Sequence, residues 1–316
     1  MSRLFRDVHG AVRAPQGSVV CIGAFDGLHL GHQALVRHAV ARARELGVPA
    51  IALTFEPLPR EFFGRTSPPA RLQSTRARIE GLWSLGIAQV GVLRFGARLS
   101  SMSAEQFVED VLHRLLHARE VWVGPEFRFG RARTGDVELL RAMGERLGFV
   151  AGSIAPVAVD GQRVSSTRVR AALAAGRFDE AERLLGRRYA IEGRVVRGRQ
   201  LGRTLGYPTA NLRLPRATVP LSGIFATRVR GLGPDALPSV SSLGTRPTVG
   251  GVEPLLETHI FDFDADIYTR RIGIEFVAKL RDELKFDGLD ALVAQMDRDA
   301  GQARDILDLP PARKTA

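Results

Sequence analysis

Cysteine occurs once in the 316 residues, at Cys21. An intramolecular disulfide and a cysteine-rich zinc site are both excluded. Cys21 sits in an apolar run and reads as a small core residue. Lysine is nearly absent: Lys279, Lys285 and Lys314 are the only three among 45 basic residues. No Gly-Lys-Ser/Thr occurs, so the phosphate loop of P-loop NTPases is ruled out. No apolar run approaches the ~20 residues of a membrane-spanning helix. Residues 1–15 are charged and lack the apolar centre of a secretion signal. The cytoplasm is therefore the expected compartment, and no membrane is expected as a partner. The two tryptophans, Trp83 and Trp122, lie in stretches that read as helix and strand core. A base-stacking platform for nucleic acid is not expected there.

Arginine dominates what remains, and the formal net charge is +11. Such an excess suits nucleotides or nucleic acid alike, and charge alone does not choose between them. The length fits two domains, since domains run about 100–200 residues.

The first half alternates apolar strands with helical patterns. Strands are expected over 18–22, 50–55, 89–94, 121–123 and 149–154. Helices are expected over 33–46, 75–85 and 137–147, and from a Ser103/Gln106 capping box onward. Alternation of this kind implies a doubly wound parallel sheet covered on both faces. Ligands then sit beyond the carboxyl ends of the strands.

One stretch stands at that edge between the first strand and the first helix: Gly23-Ala24-Phe25-Asp26-Gly27-Leu28-His29-Leu30-Gly31-His32. Its glycines allow close backbone approach and unusual dihedrals. The helix start behind it favours an anion. His29 and His32 share a face if the helix begins near Leu28. Two imidazoles beside a phosphate cradle suit phosphoryl or nucleotidyl transfer. A glycine turn or a capping histidine alone is commonplace; the whole pattern directly after a strand is far more specific. It resembles the HxGH nucleotidyltransferase superfamily, and more narrowly the FMN adenylyltransferase half of bacterial bifunctional riboflavin kinase/FAD synthetases.

Later blocks match the same family in order. Thr54 to Pro59 follows the second strand, with Glu56 and Pro57. Gly124 to Gly130 follows the fourth, with Glu126 and Phe127. Ser165-Ser166-Thr167-Arg168 leads into a helix, with Arg170 beyond. The resemblance implies that Gly23, Phe25, Asp26, Gly27, His29 and His32, with Ser165, Ser166, Thr167 and Arg168, bind ATP. It implies flavin contacts from Glu56, Pro57, Glu126 and Phe127, and a catalytic role for His29 and His32. Two departures stand out. Glu126 replaces the family's usual aspartate, and an arginine, Arg76 or Arg78, stands where lysine is common.

After residues 186–189, which read as a linker, the pattern changes to strands without intervening helices: 191–197, 225–229, 256–261 and 272–277, then a helix over 289–307. That describes an antiparallel barrel or sandwich. Gly198, Gly202 and Gly206 recur every four residues, followed by Pro208-Thr209-Ala210-Asn211. On an extended segment Thr209 and Asn211 face one side. Neutral oxygens beside nucleotide phosphates suit Mg²⁺. This run resembles the riboflavin kinase signature, and further blocks follow: Pro220 to Phe225, Gly244 to Thr248, Leu256 to Phe263 and Arg281 to Phe286. The resemblance implies a barrel in which Gly198, Gly202, Arg203, Gly206, Thr209 and Asn211 bind ATP and Thr209 and Asn211 hold Mg²⁺. It implies flavin contacts from Arg281 and Glu283, and Glu257 as the catalytic base. Thr269 replaces a common glycine. The expected organisation is an adenylyltransferase domain over 1–186 and a riboflavin kinase domain over 187–316. The expected substrates are riboflavin, FMN and ATP, with FAD as final product. Neither nucleic acid nor an obligate protein partner is expected.

Overall fold

In a computed structural model the described residues are 3–6, 8, 10, 12–64, 68–198, 202, 205–214, 219–248 and 251–310. By internal contacts the chain divides into two units, Met1–Pro69 with Thr75–Ser166, and Ala70–Ser74 with Thr167–Ala316.

The first unit is built on a six-stranded sheet: β1 (Leu4–Phe5), β2 (Ser18–Ile22), β3 (Ala50–Glu56), β4 (Gln89–Arg94), β5 (Ala118–Val123) and β6 (Val150–Ser153), in the order β1-β4-β3-β2-β5-β6. Every pairing is parallel. Alternate residues of β2 point to opposite layers. Val20 and Ile22 join the core with Val108, Val111 and Leu112, while Val19 and Cys21 join the other with Leu35, Val36 and Ala39. This two-sided burial explains the unbroken apolar run. From β2 the chain runs outward through β3 and β4 on one side and through β5 and β6 on the other, so the topological switch falls between β2 and β5. The turn after β2 opens there.

The helix Leu30–Glu45 buries Leu35, Val36, Ala39, Val40 and Ala43, the residues its periodicity selects. Ser103 and Gln106 form the expected capping box. The helix behind it winds as a π-helix over Phe107–Leu115 and buries Phe107, Val108, Val111, Leu112 and Leu115. The two-residue β1 is too short for any pattern to announce. A small hairpin, β7 (Ala158–Val159) with β8 (Gln162–Arg163), precedes the helix Ser166–Ala174.

The second unit is a closed antiparallel barrel: β9 (Ala190–Val196), β10 (Ala210–Arg213), β11 (Gly223–Arg230), β12 (Leu237–Thr248), β13 (Gly251–Ile260) and β14 (Arg271–Arg281), in the order β10-β13-β12-β11-β14-β9. Pairing of β9 with β10 closes it. The barrel, not the sandwich, is the outcome. The sequence pattern passes over β12, because Pro238, Gly244 and Pro247 interrupt it and its buried residues include Ser239 and Ser241. Those hydroxyls are satisfied inside the barrel: Thr227 bonds Ser239 at 2.8 Å and Ser241 at 2.7 Å, and Ser241 bonds Thr258 at 2.8 Å. The helix Leu289–Ile306 lays Ala300 and Ala303 against Ala226 and Phe261. In the helix Phe178–Leu185, Phe178 stacks on Phe276 at 6.2 Å and meets Phe225 edge-on at 5.9 Å. Tyr189, in the expected linker, is buried against Phe276.

Candidate active sites

The histidine turn of the first unit departs from the helical reading in one respect. The helix begins at Leu30, and His29 is its N-cap, with extended dihedrals. The His32 backbone N–H donates to Nδ1 of His29 at 3.3 Å. A neutral imidazole accepting at Nδ1 carries its proton on Nε2. The two rings stack 3.7 Å apart at 16°. Gly31 sits close beneath the stack: a Cβ there would stand 3.2 Å from Cε1 of the His29 ring, tighter than an ordinary contact. The spacing His-x-Gly-His thus has a local geometry behind it. The first histidine caps, the glycine clears its ring, and the second stacks on it. Burial, then His29 and Arg78, push the His32 pKa well below its ordinary value. Its Nδ1 is buried without a hydrogen-bond partner among the described residues.

The turn is held from three sides. Phe25 and Leu28 adopt φ of 50° and 43°, and Gly27 87°. Thr54 Oγ1 donates to the Ala24 carbonyl at 3.1 Å. Buried Arg78 donates to the carbonyls of Ala24 and Phe55 and to the Glu56 carboxylate, each at 3.0 Å. Of the two candidates for the family's lysine position, Arg78 is the one built into the turn; Arg76 pairs with Glu80 on the surface. Ser166 Oγ donates to the Asp26 carbonyl at 2.9 Å. This bond brings Ser166 to the turn from 140 residues away. Asp26 and His29 are buried.

Strands β3 and β5 flank β2. Glu56–Pro57 and Glu126–Phe127 therefore leave the sheet on either side of the histidine turn. Glu56 is engaged by Arg78 and by Thr75 Oγ1 at 2.5 Å. Exposed Glu126 pairs with Arg163. Phe127 stacks on Phe129 at 5.4 Å. Arg168 pairs with Glu180 at 3.0 Å.

In the second unit one cavity of about 540 Å³ gathers Gly202, Thr209, Asn211, Glu257, Arg281 and Glu283. Gly198 and Gly206 are not among its walls, and Arg203 lies outside the described residues, as do residues 199–201 and 204. Gly198 nevertheless shapes the site, since a Cβ there would fall 2.6 Å from the Asn211 amide. Gly206 takes φ of 83°. A Cβ on Gly202 would stand 2.3 Å from the Tyr207 carbonyl. Asn211 is register partner of Glu257, and Glu257 of Ser242. Period two puts Leu255, Glu257 and His259 on the cavity side of β13, while Leu256 and Thr258 are buried. His259 also lines the cavity; its Nδ1 lies 2.9 Å from the Pro208 carbonyl, and burial lowers its pKa.

Two further cavity residues gave no signal in the sequence. Tyr207 donates its hydroxyl to Asp297, and burial first, then that bond, raises its pKa. Buried Asp299 holds Arg281 through three contacts of 2.7–3.1 Å. Both acids sit on the last helix, where charged residues ordinarily face water.

Two family models cover these two sites. One, described as FAD synthetase, matches residues 11–168. The other, described as riboflavin kinase, matches residues 185–307. The bifunctional riboflavin kinase/FMN adenylyltransferase of Haemophilus influenzae is 40% identical over 302 residues, covering 96% of this chain and 98% of that one. The chain belongs to this bifunctional family. The relative from Pseudomonas fluorescens is 44% identical over 304 residues, 96% of this chain and 97% of its own. A crystal structure named as a macrolide-efflux protein from Streptococcus pneumoniae is similar throughout, with TM-score 0.78 and 30% identity over 96% of this chain and 98% of that one. Among the described residues of this chain no helix is long and apolar enough to cross a membrane.

Proposed function

We propose that the barrel phosphorylates riboflavin with ATP to give FMN, and that the parallel-sheet unit joins FMN to the AMP part of a second ATP, giving FAD and pyrophosphate. The observation that carries this reading is the gathering of Thr209, Asn211 and Glu257 around one cavity, alongside a separate turn that stacks His29 on His32.

In the kinase step the ribityl primary hydroxyl attacks the γ-phosphorus of ATP, ADP leaves, and Glu257 takes the hydroxyl proton. Thr209 and Asn211 would hold Mg²⁺ through neutral oxygens, with nucleotide phosphates completing its shell. The donor set fits. The Asn211 Nδ2 is turned to the Thr209 carbonyl at 3.4 Å, which leaves Oδ1 as the ligand atom. Gly198 leaves room for that amide. Mg²⁺ would neutralise charge on the transferring phosphoryl group.

In the adenylyl step a phosphate oxygen of FMN attacks the α-phosphorus of ATP and pyrophosphate leaves. His29 and His32 donate to the phosphate oxygens as charge builds. Ser165 and Ser166, with Thr167 and Arg168 following in the chain, bind the phosphates. Glu56, Pro57, Glu126 and Phe127 border the flavin. Neither step needs a protein nucleophile; positioning and charge stabilisation supply both. The compartment proposed is the cytoplasm, and the partners are the small substrates alone.

Incubation with riboflavin, ATP and Mg²⁺, followed by chromatographic separation of flavins, tests the reading. FMN followed by FAD is expected. Absence of both in folded protein refutes it, and EDTA should abolish FMN formation if Mg²⁺ is required.

A further inference from the structure

Arg281 reaches the cavity from the end of β14, and its side chain is not free to swing. Nε donates to both carboxylate oxygens of Asp299 at 2.9 and 3.1 Å, and Nη2 donates to Oδ2 at 2.7 Å. Nη1 donates to the Asp282 carbonyl at 2.9 Å. Three of the five N–H donors of a guanidinium are thereby used. Asp299 is itself fixed, since Gln295 one helical turn earlier donates to its Oδ1 at 2.8 Å. The guanidinium lies over the Phe286 ring, 5.8 Å from its centroid. Arg281, Asp299 and Phe286 all line the cavity.

A planar cation held edge-on by a buried carboxylate presents its flat face and its remaining N–H groups in one fixed orientation. With Phe286 beside it, that is a wall suited to a flat, carbonyl-bearing ring. We infer that Asp299, on the last helix, is a positioning residue for the flavin end of the kinase cavity, acting through Arg281. The hydrogen bonds of Asp299 and Arg281 above go to each other, to Gln295 and to the Asp282 carbonyl rather than to β10 or β13, so Asn211 at the nucleotide end keeps its own supports. The inference rests on the kinase reading of this cavity.

The test is a double-mutant cycle on riboflavin and ATP kinetics in the full chain, with Arg281→Ala, Asp299→Ala and the double variant. Asp299→Asn serves where Asp299→Ala is insoluble. Asp299→Ala should raise the KM for riboflavin roughly ten- to hundredfold, the scale seen for partners that orient a binding group, with the KM for ATP and FAD formation from supplied FMN unchanged. The double variant should match Arg281→Ala alone, because a residue acting through another adds nothing once that other is gone. Asp299→Asn keeps one acceptor and should fall between wild type and Asp299→Ala. Additive losses, or an equal rise in the KM for ATP, would overturn the inference, as would an unchanged riboflavin KM in Asp299→Ala. A wild-type protein without kinase activity would instead defeat the kinase reading itself.

Discussion

Asn211 on β10 stands directly opposite Glu257 on β13 in the barrel register. One side chain is the proposed metal ligand and the other the proposed base, and a single cross-strand pair fixes their separation. Glu257→Gln keeps size and removes basicity, so FMN formation should fall by roughly 10²–10⁴ with little change in ATP affinity. Asn211→Ala should weaken MgATP binding as well as turnover. Both variants should still convert supplied FMN to FAD. Full kinase activity in Glu257→Gln would place the base elsewhere.

The histidine pair gives a second, independent expectation. His29→Ala or His32→Ala should slow FAD formation by roughly 10²–10³, the scale for one lost donor at developing charge. FMN should accumulate. Gly31→Ala should slow FAD formation less than either histidine deletion, because its methyl would shift the His29 ring by only a few tenths of an ångström without removing either imidazole. Normal FAD synthesis in all three would remove the stack from the chemistry.

The depressed pKa of His32 also carries a stability consequence. Its folded value lies below its unfolded value, so between the two the unfolded chain binds more protons and stability rises with pH. The contribution is complete above about pH 6.5, the unfolded value, and is lost as pH falls toward the folded pKa. Wild type should therefore lose urea resistance more steeply below that pH than His32→Gln. Parallel pH profiles would show that His32 is not held neutral by the fold.

Much of this architecture is legible in the chain. The parallel strands announce themselves because burial on both faces leaves no room for polar residues, as at Val19 to Ile22. The motif residues were legible as a pattern, but their cause was not. Nothing in His-x-Gly-His alone says that the first histidine caps the helix and that the glycine clears its ring. Strand β12 was hidden because its buried hydroxyls satisfy one another across strands, a pairing only the closed barrel creates. Asp299 was hidden for a similar reason: its partner lies 18 residues earlier on another element.

Thr269 stands where glycine is common in the family, and its φ is 66°. A β-branched residue is strained there, whereas glycine is not. Its N–H donates to the Val195 carbonyl at 3.0 Å, which ties the turn to β9. Thr269→Gly should stabilise the protein by about 0.5–1 kcal/mol, less the entropy glycine adds to the unfolded chain, and leave kinase kinetics alone. A lower urea midpoint would show that the turn prefers threonine.

The last expectation concerns where the barrel can be cut free. The boundary proposed from the sequence lies at 186/187, and the riboflavin kinase match begins at residue 185. Phe178, however, stacks on Phe276 and meets Phe225, and it is itself buried. A fragment beginning at Arg187 uncovers those two rings; one beginning at Thr167 does not. Both should phosphorylate riboflavin, since Thr209, Asn211 and Glu257 lie within each. The shorter should be less stable by about 3–5 kcal/mol, the usual cost of deleting a buried phenylalanine side chain. Phe178→Ala in the longer fragment should reproduce most of that loss. Equal thermal midpoints for the two fragments would mean that the helix Phe178–Leu185 contributes nothing to the barrel. A longer fragment that folds but makes no FMN would mean that the kinase site needs residues from the first unit.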